Sequence, residues 1–401
     1  MEKKVKYKCD VLIVGGGLVG STAALAFSAE GLKVTIVEPI APSRLKMRSN
    51  DIRTTAISSE QKNIFEQIKV WDLIKEKVAP IKKIKVVDGN FPINLDFLFK
   101  DKNLFINPMG YIVDNSVLRK SINMLIGKDN NVRRLVSSVE DIYCDQSGVI
   151  STLSDKKKIY SSLLIGSDGK NSYIRKLANI KTITKEYNQV AIVVTVDQPF
   201  QHNGLAIEKF LKDGPIASLP MSSQNSQYSR SAIVWSTTPE IADQYKNRKI
   251  ELSKKISKNL YDNIYDLKII GNISAWPLKL IVSEFFSAPR IALVGDSAHS
   301  IHPIAGQGFN LALRGIDLLS KTCGKAARSG QDIGSKLVLD QYAFKHKKEA
   351  LTMIAITHGL NKIFSTDRFL FKKFRRLGLR FVSNSGILKK IFSNYAMGKR
   401  Y

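Results

Sequence analysis

A short apolar strand that runs straight into a glycine turn and then a helix leaves a chain few ways to fold. Residues Asp10 to Glu38 read DVLIVGGGLVGSTAALAFSAEGLKVTIVE, with Gly15, Gly17 and Gly20 in G-x-G-x-x-G spacing after the strand Val11 to Val14. In that arrangement the first glycine permits a tight turn and the second lets the backbone approach a pyrophosphate. The third lets a helix, Leu18 to about Glu30, pack on the strand, and N–H groups at the helix N-terminus bind the phosphates without a lysine. A second apolar strand, Lys33 to Val37, ends at Glu38. That is about the ~20 residues on at which an acid accepts hydrogen bonds from ribose hydroxyls. A carboxylate there repels a 2′-phosphate, so NADP is disfavoured in this pocket.

The stretch Val11 to Ala29 is also uncharged, and about as long as the ~20 apolar residues of a membrane-spanning helix. Three consecutive glycines and the acid-ended strand behind them favour the nucleotide turn. No small-residue cleavage site precedes charged sequence, so a signal peptide is not expected.

Two later segments bear on which nucleotide is held. One is LLIGSDGKNSYIR from Leu163; the other is IALVGDSAHSIHPIAGQGFNLALR from Ile291. In the second, Ile291 to Val294 reads as a strand, and Asp296 at its end can accept from ribityl or ribose hydroxyls. Gly306 and Gly308 then open a helix running through Leu319. The dipole of such a helix, equivalent to roughly half a positive charge, stabilises the anion that forms at the pyrimidine edge of a reduced flavin.

Asp168, Gly169, Ser172 and Arg175 form a D-G-x-x-S-x-x-R turn. Gly295, Asp296, Ala298, His299, Pro303, Gly306, Gly308 and Asn310 follow a G-D-A-x-H-x-x-x-P-x-x-G-x-G-x-N pattern, with Ser297 inserted after Asp296. On these residues the chain resembles the group A aromatic-ring hydroxylases, flavin monooxygenases related to p-hydroxybenzoate hydroxylase. A narrower resemblance, to the ubiquinone-biosynthesis hydroxylases of the UbiH/UbiF type, runs essentially end to end. Its marks are Asp51, Arg53 and Ala56 (D-x-R-x-x-A), Gly214 to Pro220 (GPxAxLP), Trp276 to Leu278, and a terminal pattern through Gly378, Leu379, Lys390, Phe392, Ala396, Met397 and Gly398.

The resemblance implies an α/β fold: a Rossmann-like FAD-binding domain with an inserted β-sheet substrate domain and a C-terminal helical segment. The expected boundaries are 1–80, 100–180 and 285–335 for the FAD domain, 81–99 and 181–284 for the substrate domain, and 336–401 for the basic C-terminal segment. Strands expected in the substrate domain are VAIVVTV, GLAIEKF and SAIVWST, followed by a basic helix over 250–260. The cofactor-binding set is Gly15, Gly17, Gly20, Glu38, Arg53, Arg119, Asp168, Asp296, Pro303, Gly306, Gly308 and Asn310. Arg53 is expected to lie against the flavin, and Asp168 in a turn that helps guide the nicotinamide donor. His302, beside Pro303, is the candidate catalytic residue facing the ring cavity; His299 reads as packing.

The activity implied is hydroxylation of a polyprenylated phenol on the way to ubiquinone. NAD(P)H reduces FAD, dioxygen adds to give a C4a-hydroperoxyflavin, and its distal oxygen passes to an electron-rich phenol in a site that excludes water. No second dinucleotide fingerprint is visible, so the nicotinamide is expected to bind transiently. Two alternatives remain: a hydroxylase of a soluble aromatic acid, and a non-catalytic flavoprotein subunit of a membrane biosynthetic complex with other ubiquinone-biosynthesis proteins.

The chain has 401 residues and a formal charge of +27. That balance fits nucleic acid, an anionic membrane surface, or a proteome rich in lysine, isoleucine and asparagine. No zinc-finger, RRM-type or basic-aromatic motif supports nucleic acid. From Arg368 to Arg400, however, cations alternate with Phe and Leu and no acid follows Asp367, a composition that can lie on an anionic bilayer or pack as an amphipathic helix. Cys9, Cys144 and Cys323 are far apart and form no C-x-x-C or Cys/His cluster, which favours a reducing compartment and no structural metal. The expected location is cytoplasmic, peripheral on the inner face of the membrane.

Overall fold

The computed structural model describes residues 5–41, 53–89, 94–98, 108–223, 228–261 and 265–365. Asp51 and the terminal stretch 366–401 lie outside the described residues.

Three sheets build the molecule. In the first, β1 (Val5–Val14) is central, with β2 (Val34–Val37) parallel to it on one side and β3 (Lys158–Gly166) parallel on the other. Outside β2 lies Val132–Leu135, and outside β3 lies Ile291–Leu293, both parallel to their neighbours. Parallel strands of this kind, covered by helices, are buried on both faces and read as continuous apolar runs. Val11, Leu12 and Ile13 accordingly have no exposure.

Helix α1 (Leu18–Ala29) follows β1, and every residue from Gly20 to Ser28 is buried. It contacts the sheet side at β2 and also packs on a second long helix, α2 (Gln307–Arg328). A helix covered on several sides needs no polar face. This explains why its sequence is uncharged for a length that mimics a membrane span. No helix among the described residues is long and apolar enough to cross a membrane.

The second sheet is mostly antiparallel, in the order His299–Ser300, Lys268–Ser283, Thr182–Gln198, Ser229–Thr237, Gly214–Met221, Leu205–Leu211, Lys83–Asp88, Asn94–Leu98. Its two faces are sorted by the period-two alternation of strands. Ile192, Trp235 and Ile216 stand opposite one another across three strands and pack beneath Leu252 and Ile256 of the helix Lys249–Leu260. Burying side chains of this size stabilises the fold by about 1.5–3 kcal/mol each. The other face of this sheet borders the candidate site. A small third sheet, Thr54–Ser58 and Ala79–Ile81 flanking Gly110–Asp114, closes the remaining side.

The segment after the last parallel strand joins the first two sheets. His299 and Ser300 pair with Val282 and Ile281 at the edge of the second sheet. Just before them, Ser297 Oγ donates to the carbonyl of Gly166 in the first. Helix α2 runs on to Arg328, about two and a half turns beyond the expected Leu319. It then gives way to α3 (Lys336–Ser365), whose Tyr342 hydroxyl donates to the Leu293 carbonyl at 2.6 Å.

Candidate active site

The glycine turn is closed by a residue that the fingerprint does not contain. Gly15 has φ +104°, a conformation that favours glycine. Ser167, at the end of β3, places its Oγ 2.9 Å from both the Val14 and the Gly15 carbonyls. A Cβ on Gly20 would come 1.9 Å from the Gly15 oxygen and 2.4 Å from that same Oγ. A Cβ on Gly17 would meet nothing within 4 Å. The open side of the turn is therefore at Gly17, beside the start of α1. Glu38 braces the turn, its Oε2 accepting from Gly16 N–H at 2.7 Å and its Oε1 from Ile40 N–H at 3.2 Å. A carboxylate has about four acceptor positions, so this bracing leaves capacity for a ribose hydroxyl.

The second motif is an internal scaffold. The Asp168 carboxylate accepts from Ser172 Oγ and from the backbone N–H groups of Tyr173 (2.6 Å) and Ile174 (3.1 Å), which starts the short helix Tyr173–Leu177. Buried Arg175 then donates to the Lys170 carbonyl at 2.8 Å and to the Ser297 carbonyl at 2.9 Å. The second and third motifs are thereby tied together through a guanidinium, a link with no trace in sequence spacing.

Asp296 sits in a recess between these parts. Its side chain is open to solvent, yet protein surrounds it on most sides. That enclosure raises its carboxyl above the ordinary range, with Lys170 acting in opposition. Gly306, at φ +61°, begins α2. Neither α1 nor α2 has a side-chain hydrogen bond capping its N-terminus. Two helices that start at glycine without a side-chain cap, flanking an open turn and a recessed carboxylate, form a cradle suited to the phosphates and hydroxyls of a dinucleotide. The residues present thus fit FAD.

Asn310 has a bracing role. Its Oδ1 accepts from Ser58 N–H at 2.9 Å, and its Nδ2 donates to the Ala56 carbonyl at 3.0 Å. It holds the strand Thr54–Ser58 against the start of α2. Together these elements form one wall of a cavity of about 420 Å³ that also includes Pro303, Gly308 and Asp296.

The opposite wall is the second sheet. Val193, Val234, Ala217 and Glu208 stand in one row across four strands, and Trp276, Ala191 and Ser236 in another. All seven line the cavity. Small side chains at Ala191, Ala206 and Ala217 leave the space, and Glu208 is the carboxylate that this sheet contributes to it. At the rim, the Arg53 guanidinium lies 5.3 Å above the ring of Trp276.

His302 departs from the expected position. Its neighbours Ile301 and Pro303 line the cavity, but His302 does not. It is 1% exposed, its Nε2 lies 3.2 Å from Gln189 Oε1, and its ring meets Tyr187 edge-on at 5.0 Å. Burial, reinforced by His358, pushes its pKa down to about 4, so it is neutral at physiological pH. Its ring lies behind the cavity wall, against Tyr187 and Gln189. Arg119 is half-buried on the helix Asn115–Lys128 and does not line the cavity, whereas Asn115, one turn earlier, does. The residues that spacing did not disclose are Ser167, Ser297 and Glu208. For Glu208 the signal was the alternating strand GLAIEKF, which placed it on a face without showing what that face bordered.

Fold and site define a class: a flavoprotein with a cradle for FAD at the strand ends of a parallel sheet and a mainly apolar cavity beside it. A family model described as FAD binding domain matches residues 8–350. The chain is 35% identical over 391 residues to the ubiquinone hydroxylase UbiL of Rhodospirillum rubrum, covering 97% of this chain and 89% of that protein. It is 27% identical over 393 residues to the 3-demethoxyubiquinol 3-hydroxylase of Escherichia coli, covering 97% and 98%. Among solved structures it resembles p-nitrophenol 4-monooxygenase PnpA from Pseudomonas putida, with a TM-score of 0.77 at 17% identity over 98% of this chain and 100% of that one, a likeness of fold. The chain belongs to the FAD-binding family of flavoprotein monooxygenases in which these ubiquinone hydroxylases fall.

Proposed function

We propose that this protein, an FAD-dependent aromatic-ring monooxygenase using O2 and NAD(P)H, hydroxylates the ring of a polyprenylated phenol in ubiquinone biosynthesis. The observation that carries the reading is the character of the cavity. It is walled by small and apolar side chains, and among the described residues that line it the substrate sheet contributes one carboxylate, Glu208, and Arg53 is the one Lys, Arg or His. A soluble aromatic acid needs a cation for its carboxylate. Arg53 is stacked over Trp276 at the rim, so a neutral phenol with an apolar substituent is the better match.

Bound FAD supplies the redox chemistry, accepting hydride and activating dioxygen. The protein supplies position and exclusion. Gly15 to Gly20 and Glu38 would hold the adenosine diphosphate end, and Asp296 with the start of α2 the flavin end. The Ala and Val rows of the sheet keep water from the reacting carbon. We assign Glu208 to the phenol hydroxyl. Accepting that proton raises electron density on the ring, the requirement for attack on an electrophilic oxygen.

The test is turnover of the FAD-loaded protein with a short-chain prenylated phenol under 18O2. One labelled oxygen on the product ring, in proportion to NAD(P)H consumed, supports the reading. Hydroxylation of a small aromatic acid in preference to the prenylated phenol, or hydrogen peroxide as the sole product with either, contradicts it.

A further inference from the structure

We propose that the outward face of helix α3, with the strand ends beside it, docks on an anionic bilayer surface. The inner face of α3 buries Val338, Leu339, Tyr342, His346, Ala350 and Met353. On the outer side, Leu337, Phe344 and Leu351 are 66%, 75% and 47% exposed. They are spaced seven and seven, which on a helix keeps all three within about 20° per step of one line. Scattered exposed apolar residues are ordinary; an aligned stripe of large ones is what marks an interaction surface.

Two contacts fix what lies beside the stripe. Lys347 Nζ lies 5.5 Å above the Phe285 ring, and Lys185 Nζ lies 3.3 Å from His358 Nε2. The end of α3 thus lies beside the strand Thr182–Gln198, and its middle beside Glu284 and Phe285, just after the strand Lys268–Ser283. Phe285 is 59% exposed, and so is Ile183, at 70%, which points to the same side of its strand as Lys185. The polar groups around this apolar strip are chiefly cationic: Lys345 and Lys348 are exposed beside Phe344, Asp340 faces Lys336 at 3.9 Å, and Glu349 is half-buried.

Charge selects the occupant. The chain carries +27, and after Asp367 it adds ten Lys or Arg and no Asp or Glu, starting directly beyond the end of α3. An apolar strip a few side chains wide, flanked by lysines and continued by a cationic segment, is complementary to anionic headgroups above acyl chains. This inference is read from the surface alone and is independent of the cavity's substrate.

The experiment is co-sedimentation of the full-length FAD-loaded protein with phosphatidylcholine vesicles, with and without phosphatidylglycerol. Variants are Phe344→Ser/Leu351→Ser and Lys345→Glu/Lys348→Glu. Their FAD content and their oxidation of NAD(P)H in detergent, without vesicles, serve as controls. We expect binding to anionic vesicles that weakens by on the order of tenfold for each apolar side chain removed, binding lost in the charge-reversed variant, and unchanged controls. Wild-type protein that ignores phosphatidylglycerol, or apolar variants that bind like wild type, would overturn the proposal. So would a dimer in detergent-free buffer that the Phe344 and Leu351 changes dissociate, since that assigns the face to a second copy.

Discussion

Two glycines of one turn should respond to alanine in opposite ways. Gly17 has φ −67° and ψ −174°, ordinary extended backbone, and a methyl there meets nothing within 4 Å. Gly17→Ala should therefore leave the stability of the FAD-free protein within about 0.5 kcal/mol of wild type, or raise it slightly by restricting the unfolded chain. The same methyl occupies the space through which a phosphate approaches the start of α1. Losing one hydrogen bond to a charged group costs about 1.5–3 kcal/mol, which corresponds to roughly 10- to 150-fold weaker FAD binding. At Gly20 the methyl would lie 1.9 Å from the Gly15 carbonyl oxygen. Reaching ordinary contact requires α1 to move away from β1 by more than 1 Å, and overpacking of this kind costs about 1–3 kcal/mol or more. Urea unfolding of protein stripped of FAD, paired with titration of FAD by flavin fluorescence, separates the two effects. If Gly17→Ala binds FAD as wild type does, or loses as much stability as Gly20→Ala, the placement of the phosphates is wrong.

Asn310→Ala should leave the Ser58 N–H and the Ala56 carbonyl without their partner, destabilising the protein by about 2–5 kcal/mol; a urea midpoint within experimental error of wild type would show that the bracket is not needed. Glu208→Gln should lower the hydroxylation rate by about 10² or more at neutral pH with FAD content unchanged, measured as labelled product per minute, and equal rates would remove Glu208 from the reaction. Buried His299 and His302 have pKa values pushed down to about 4, whereas an unfolded histidine titrates near 6.5. The unfolded chain therefore takes up these protons first, so their contribution is complete above about pH 6.5. It is lost by up to about 1.4 kcal/mol per pH unit per histidine as pH falls toward 4. Asp114 and Asp296, raised by burial, act in the opposite sense. The measurement is thus the difference between wild type and His302→Gln in urea midpoint from pH 7 to 5, expected to widen at neutral pH and narrow toward pH 5. Parallel curves would mean that His302 is not held neutral.

What the sequence disclosed was whatever is local. The strand, turn and helix from Val11 to Ala29 carry their own instructions, and the helix starting at Gly306 carries another set. The parallel strands of the first sheet and the glycine turn beside them followed from those two segments. What spacing could not disclose depended on which elements meet. Glu208 sits on an alternating strand, and alternation assigns two faces without naming the one that borders a cavity. Asp168 and Asn310 entered the expected cofactor-binding set through the resemblance of their motifs. In the folded chain their polar atoms bond to Ser172, Tyr173, Ser58 and Ala56, so they shape the cradle. His302 was placed at the cavity by its neighbour Pro303, but its ring turns away from the cavity and packs on Tyr187 instead.

The most direct test of the central claim is mass spectrometry of lipid extracts from bacterial strains each lacking one ubiquinone hydroxylase, with and without this chain expressed. The account predicts that one strain loses its accumulated prenylated intermediate and regains ubiquinone, and that Glu208→Gln does not restore it. FAD-loaded protein that is well expressed and restores none of the strains would contradict the assignment to ubiquinone biosynthesis.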